Sequence, residues 1–112
     1  MSDLADQKCV PCKADTPRLD SAALAKLTAR LGADGNGWRV VDGHHLEKEY
    51  EFPDFVSALA FVNRVGAVAE EEGHHPDLFL TWGKVRITLW THSIDGLCES
   101  DFVLAAKADR VL

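Results

Sequence analysis

From Asp20 onward, leucines at 24, 27 and 31 recur at the spacing that gathers side chains on one face of a helix. Asp20 suits an N-cap and Gly32 a C-terminal stop, so the pattern predicts a first helix over 20–31. The period then changes. After the turn-forming run 32–37, rich in glycine, two segments, 38–41 and 45–52, flank Asp42-Gly43 and predict a β-hairpin. In its second strand Leu46, Lys48, Tyr50 and Phe52 share one face, and Glu47, Glu49 and Glu51 share the other. That alternation is what an antiparallel strand with one wet face requires.

Pro53 suits the first turn of a second, longer helix, whose apolar stripe is read at Phe55, Leu59, Val62, Val65 or Gly66, and Ala69, running to Gly73. Its last turn holds Glu70, Glu71 and Glu72, unfavourable against the negative end of the helix dipole, which suggests another use for a carboxylate there. A second hairpin follows, with strands over 78–81 and 85–92 around Trp82-Gly83. Val85, Ile87 and Leu89 should face the helices, leaving Arg86, Thr88, Trp90 and His92 on the opposite face, with His92 at the strand's end. Beyond Asp95-Gly96, Phe102, Ala105 or Ala106, and then Asp109 or Arg110 mark a short final helix with Glu99 and Asp101 in its first turn. The order α-β-β-α-β-β-α predicts an α+β fold, a four-stranded antiparallel sheet with three helices packed on one face. Residues 1–18 are polar, carry Pro11 and Pro17 and show no period; they are expected to form an arm outside the core, leaving one domain over 19–112.

Composition narrows the partners. A chain of 112 residues with 46% apolar content fits one domain, and a homo-oligomer would bury further apolar surface at this size. The formal charge of −6 has the wrong sign for a protein that binds by neutralising phosphates, so nucleic acid is not an expected partner. No apolar stretch approaches the ~20 residues of a membrane span, and the start at Met1-Ser2-Asp3 lacks a signal pattern, so a cytoplasmic protein is expected. Three cysteines, an odd number, argue against a secreted disulfide framework. Cys9 and Cys12 form a C-x-x-C with no second pair to complete a zinc site, and the motif reads as part of the arm.

Five histidines carry the candidate chemistry. His44 and His45 follow a turn glycine, where exposed polar residues are ordinary. His74-His75-Pro76 lies between a helix end and an incoming strand, where a rigid base can aim side chains. Neighbours in extended chain point to opposite sides, so this pair is ill suited to chelate one metal, whereas imidazoles near pH 7 both give and accept protons. No G-x-S-x-G frame for a nucleophile is present, and Gly32-x-x-Gly35-x-Gly37 follows a helix instead of a strand, the wrong context for a dinucleotide loop.

Three motifs together resemble a known family: Glu70-x-x-x-His74-His75-Pro76, Lys84-Val85-x-Ile87-Thr88-Leu89-x-Thr91-His92, and Gly96-Leu97-x-x-x-Asp101. With Gly37-Trp38, Phe52-x-Asp54-Phe55 and Phe61-x-x-x-Val65, the chain is similar to the pterin-4a-carbinolamine dehydratases over about residues 19–110. The resemblance implies the fold order above and dehydration of 4a-hydroxytetrahydropterin to quinonoid dihydropterin, with no metal and no cofactor. It implies His74, His75 and His92 as catalytic, and substrate contacts at Glu70, Gly73, Trp90, Thr91, Ser93 and Asp101. His74 and His92 are read as the acid–base pair, His75 as positioning the 4a-hydroxyl, and Glu70 as orienting an imidazole. Many members carry an acidic residue where this chain has Gly73 and an arginine where it has Ser100, and Cys98 stands where a Ser or Thr N-cap is expected. A homodimer or homotetramer and a pterin-dependent hydroxylase as pathway partner are also implied. The alternatives are a dimerisation module for a transcription factor and a related enzyme of molybdopterin metabolism.

Overall fold

The computed structural model describes residues 4–112, with α1 (Ser21–Arg30), β1 (Arg39–Val41), β2 (His45–Glu51), α2 (Phe55–Glu72), β3 (Asp77–Thr81), β4 (Lys84–Leu89) and α3 (Glu99–Arg110). Short 3-10 turns lie at Leu4–Asp6, Ala33–Gly37 and His92–Ile94. The strands make one antiparallel sheet in the order β1-β2-β4-β3, the α+β arrangement expected from the hydrophobic pattern.

Local chemistry sets the helix ends. Asp20 accepts the Ala23 N–H and Asp54 the Ser57 N–H, each at 2.8 Å, and caps of this kind contribute about 1 kcal/mol. Pro53 therefore precedes the cap of α2 instead of occupying its first turn. The helix ends at Gly73, whose left-handed backbone (φ 66°, ψ 24°) lets the His74 N–H return to the Ala69 carbonyl at 3.2 Å. That turn delivers His74 and His75 to the sheet.

The stripe read on α2 is displaced. Ala58, Phe61, Val65 and Ala69 are the buried positions, whereas Phe55 and Leu59 stay 43% and 39% exposed. Phe61 fixes this rotation by packing on the rings of Tyr50 and Phe52 at 4.6 and 5.3 Å. Leu46 and Tyr50 of β2 join Val85, Ile87 and Leu89 of β4 and Phe102 and Leu104 of α3 in the same core. On the opposite sheet face Glu49 lies across from Arg86 and Glu51 across from Lys84, so unlike charges meet.

Three further expectations are corrected. Strand β4 stops at Leu89 and does not reach His92; Thr91 and Gly96 instead bond each other's backbone around a tight loop in which Asp95 is left-handed (φ 49°). Of the expected arm, residues 1–3 lie outside the described residues, but Leu4 and Ala5 are buried, and Leu4 belongs to the core cluster beside α3. The cysteines do make a disulfide: Cys12 is joined to Cys98, bridging 86 positions of sequence and tying the N-terminal segment to the start of α3.

The other end of α3 holds a polar hub. Asp109 accepts from the Trp38 indole (3.0 Å), Tyr50 hydroxyl (2.6 Å), Lys48 ammonium (2.8 Å) and Asn36 amide (3.1 Å). Burial, and then the bond to Asp109, push the Tyr50 phenol up, so it remains a donor.

Candidate active site

Asp101 is fully buried in the first turn of α3, where its carboxylate closes back on the helix start by accepting the Cys98 N–H at 3.0 Å. The same carboxylate accepts the Thr91 hydroxyl at 2.8 Å and meets His74 Nε2 at 2.6 Å. One buried anion thus joins the end of α2, the loop after β4 and the start of α3. With its Nε2–H given to Asp101, His74 keeps Nδ1 for a ligand, since that nitrogen has no partner among the described residues.

The other expected residues sit around this centre in different states. His75 Nε2 meets Glu70 at 3.1 Å in an exposed pair, so the carboxylate one turn back on α2 serves His75 and not His74. His92, one residue past Thr91, stacks on the Trp90 ring at 3.8 Å and 19°. Ser93 donates its hydroxyl to the Cys12 carbonyl at 2.8 Å. Gly73 places no side chain in the site, and a Cβ there would meet nothing within 4 Å, although its positive φ disfavours other residues. Ser100, where an arginine was expected from the resemblance, is buried and bonds both backbone groups of Val10.

Sequence reasoning passed over one neighbour. His44, read as an ordinary turn residue, binds Asp95 at 2.8 Å and lies 4.6 Å from the Trp90 ring, on the side of the loop that carries His92. Its hydrogen bond holds the Asp95 carboxyl below the ordinary range. The pairing of Leu46 with Leu89 brings the β1–β2 turn beside the end of β4, and no local signal announces that register. Among the described residues, no three His, Cys, Asp or Glu side chains form a group that could hold a metal ion. A cavity of about 910 Å³ between α1 and the 32–35 turn is lined by no histidine.

Comparison with known proteins bears on this arrangement. A family model described as pterin 4 alpha carbinolamine dehydratase matches residues 17–111. A relative from Rubrobacter xylanophilus, provisionally named pterin-4-alpha-carbinolamine dehydratase, is 53% identical over 111 residues, covering 99% of this chain and 100% of its own. A second with the same provisional name, from Alkaliphilus metalliredigens, is 51% identical over 98% of this chain and 96% of its own. Among solved structures, a transcriptional coactivator/pterin dehydratase from Brucella melitensis matches with a TM-score of 0.77 and 31% identity, over 85% of this chain and 98% of that one. A pterin dehydratase-like protein described as a RuBisCO assembly factor in the alpha-carboxysome matches with a TM-score of 0.58 and 28% identity, over 67% and 88%.

Proposed function

The chain belongs to the pterin 4 alpha carbinolamine dehydratase family, and from that premise we propose that it removes water from a 4a-hydroxytetrahydropterin by histidine acid–base catalysis. The observation that carries this reading is the buried Asp101 carboxylate, which joins His74 to the Thr91 that precedes His92. Dehydration needs a proton delivered to the departing 4a-oxygen and a proton removed from N5, yielding water and the quinonoid dihydropterin. His74 is assigned the base, because Asp101 orients its ring and balances the positive charge the ring acquires on taking a proton. His92 is assigned the acid, and Trp90 beside it offers a flat surface suited to a planar heterocycle. His75, paired with Glu70, positions the 4a-hydroxyl. The pathway is tetrahydropterin recycling in the cytoplasm, beside a pterin-dependent hydroxylase.

Freshly generated 4a-hydroxytetrahydropterin mixed with purified, chelator-treated protein should give quinonoid dihydropterin faster, followed by absorbance. His92→Ala should lose most of that acceleration, about 10²-fold or more. Equal rates with and without wild-type protein would remove the enzyme reading.

The same fold also supports self-association. Phe55, Val56 and Leu59 on α2 and Phe79 and Trp82 on the edge hairpin are exposed, and β3 has a neighbour on one side only. A homodimer or homotetramer formed through the β3 edge is proposed. Phe79→Lys, at a residue 48% exposed on that edge, should lower the mass measured by light scattering without changing far-UV circular dichroism. An unchanged mass would place the contact elsewhere. A binding-module role, in place of catalysis, would draw on exposed apolar residues such as Phe79 and Trp82.

A further inference from the structure

We propose that the Cys12–Cys98 disulfide is a reversible thiol–disulfide site, opened by a dithiol and closed by a disulfide oxidant, whose state governs how firmly His74 and His92 are held. The bond touches the supports of both histidines. On one side, the Cys98 N–H donates to the carboxylate that binds His74, and the Cys98 sulfur lies 3.3 Å from the Thr91 hydroxyl that donates to that same carboxylate. On the other, the Cys12 carbonyl accepts from Ser93, the residue after His92. One covalent link therefore braces both loops at once.

Opening it would release a short stretch and not the whole N-terminal segment. Leu4 remains in the core, Lys107 holds the Ala5 carbonyl at 2.8 Å, Glu72 holds the Cys9 N–H at 2.8 Å, and Ser100 holds Val10. Contact with the body resumes where Arg18 donates to the Ile94 carbonyl at 2.7 Å. Residues 11–17 lie between these anchors, and within them Cys12 is the link to α3 and Ser93.

The chemistry has a defined direction. Cys12 is partly exposed and Cys98 only 3% exposed, so an incoming thiolate reaches the Cys12 sulfur more readily, beside a recess of about 340 Å³ lined by Pro11, Cys12, Pro17 and Cys98. The S–S bond breaks, and Cys98 departs with the electron pair at the N-terminal end of α3, which favours negative charge, before taking a proton. The second thiol of the reductant then resolves the mixed disulfide on Cys12. Two electrons and two protons enter the protein, and the reductant leaves as a disulfide. The remaining thiol does not interfere: burial, and then Glu72, push Cys9 up to about 12, so near neutral pH it is protonated and does not displace Cys98 from Cys12. In reducing compartments the disulfides that form are mostly transient ones that sense redox state.

The inference rests on the dehydratase reading only for its rate measurement, so the test includes two readouts that need no turnover. Alkylation and mass spectrometry of the denatured protein should count one free thiol after oxidation by a small-molecule disulfide and three after a dithiol. Histidine ring signals in NMR should shift for His74 and His92 between the two states, and reduction should lower turnover about tenfold, as a small misplacement of catalytic groups does. Cys12→Ser and Cys98→Ser, the latter restoring a hydroxyl at the helix cap, should each behave as the reduced protein and ignore the dithiol. Three free thiols after oxidation, identical ring signals in both states, or an active enzyme indifferent to reduction would overturn the proposal. Shifting ring signals in a protein that turns over no pterin would uphold the redox site and sink the dehydratase reading instead.

Discussion

Replacing His74 by alanine should lower dehydration of 4a-hydroxytetrahydropterin by about 10²–10⁴-fold, and Asp101→Asn should approach that loss with the imidazole still present. Asp101 is fully buried and receives three donors: His74 Nε2, the Thr91 hydroxyl and the Cys98 N–H. An asparagine offers one oxygen and one NH2, so one of the two carboxylate positions becomes a donor facing a donor. If the NH2 faces His74, the ring must move its proton to Nδ1, and the nitrogen left for the substrate has the wrong character. If it faces Thr91 and Cys98, two buried donors lose their acceptor at the loop before His92. A wrong tautomer alone can cost up to about 10⁴-fold in a catalytic histidine held by a carboxylate. The two variants separate in the ring spectrum, because only D101N retains a His74 signal. His74→Ala should still fold, since the backbone bond that ends α2 uses the His74 N–H and not its side chain, but at a lower unfolding temperature because the buried Asp101 carboxylate loses one of its three donors. Wild-type turnover in D101N would remove the carboxylate from the mechanism.

How much of this was legible differs from element to element. Strict alternation in 45–52 and 85–89 has one physical solution, a half-buried strand, and both strands lie as the alternation predicts. Helix α2 was legible in existence but not in rotation, because it is apolar on more than one side; Phe55, Val56 and Leu59 compete with Phe61 and Val65, and packing on Tyr50 decides between them. The alternation through Trp90-Thr91-His92 continues past the real strand end, which depends on a left-handed Asp95 closing Thr91 onto Gly96. At the site, the family motifs named His74 and Asp101 separately. Their contact spans 27 positions and follows from where α3 docks, a fact no local pattern contains. The segment holding Leu4, Ala5 and Cys12 is too short to show a period, so its burial and its link to Cys98 were invisible until the chain was folded.

The largest loss of stability should come from the far end of α3. Asp109→Ala should destabilise the fold by about 3–5 kcal/mol, the usual cost of removing one partner from a buried ion pair. The Lys48 ammonium is 12% exposed, lies 4.7 Å from the Tyr50 ring and has Asp109 as its acceptor. Without that carboxylate the ammonium keeps only the faces of Trp38 and Tyr50, while the indole N–H and the phenol hydroxyl lose their acceptor as well. Unpaired buried donors each carry a desolvation penalty of about 1–3 kcal/mol, so the losses reinforce one another. Against a total of about 5–15 kcal/mol for a domain, the midpoint of thermal unfolding should fall by ~15 °C or more. Calorimetry of the single variant beside Lys48→Met/Asp109→Leu tests the cause, because removing both charges and restoring apolar volume should recover much of the loss. A single-variant loss below about 1 kcal/mol would place the pair among ordinary surface ion pairs. The strongly coupled outcome would mean that Trp38, β2 and α3 are held together through one carboxylate.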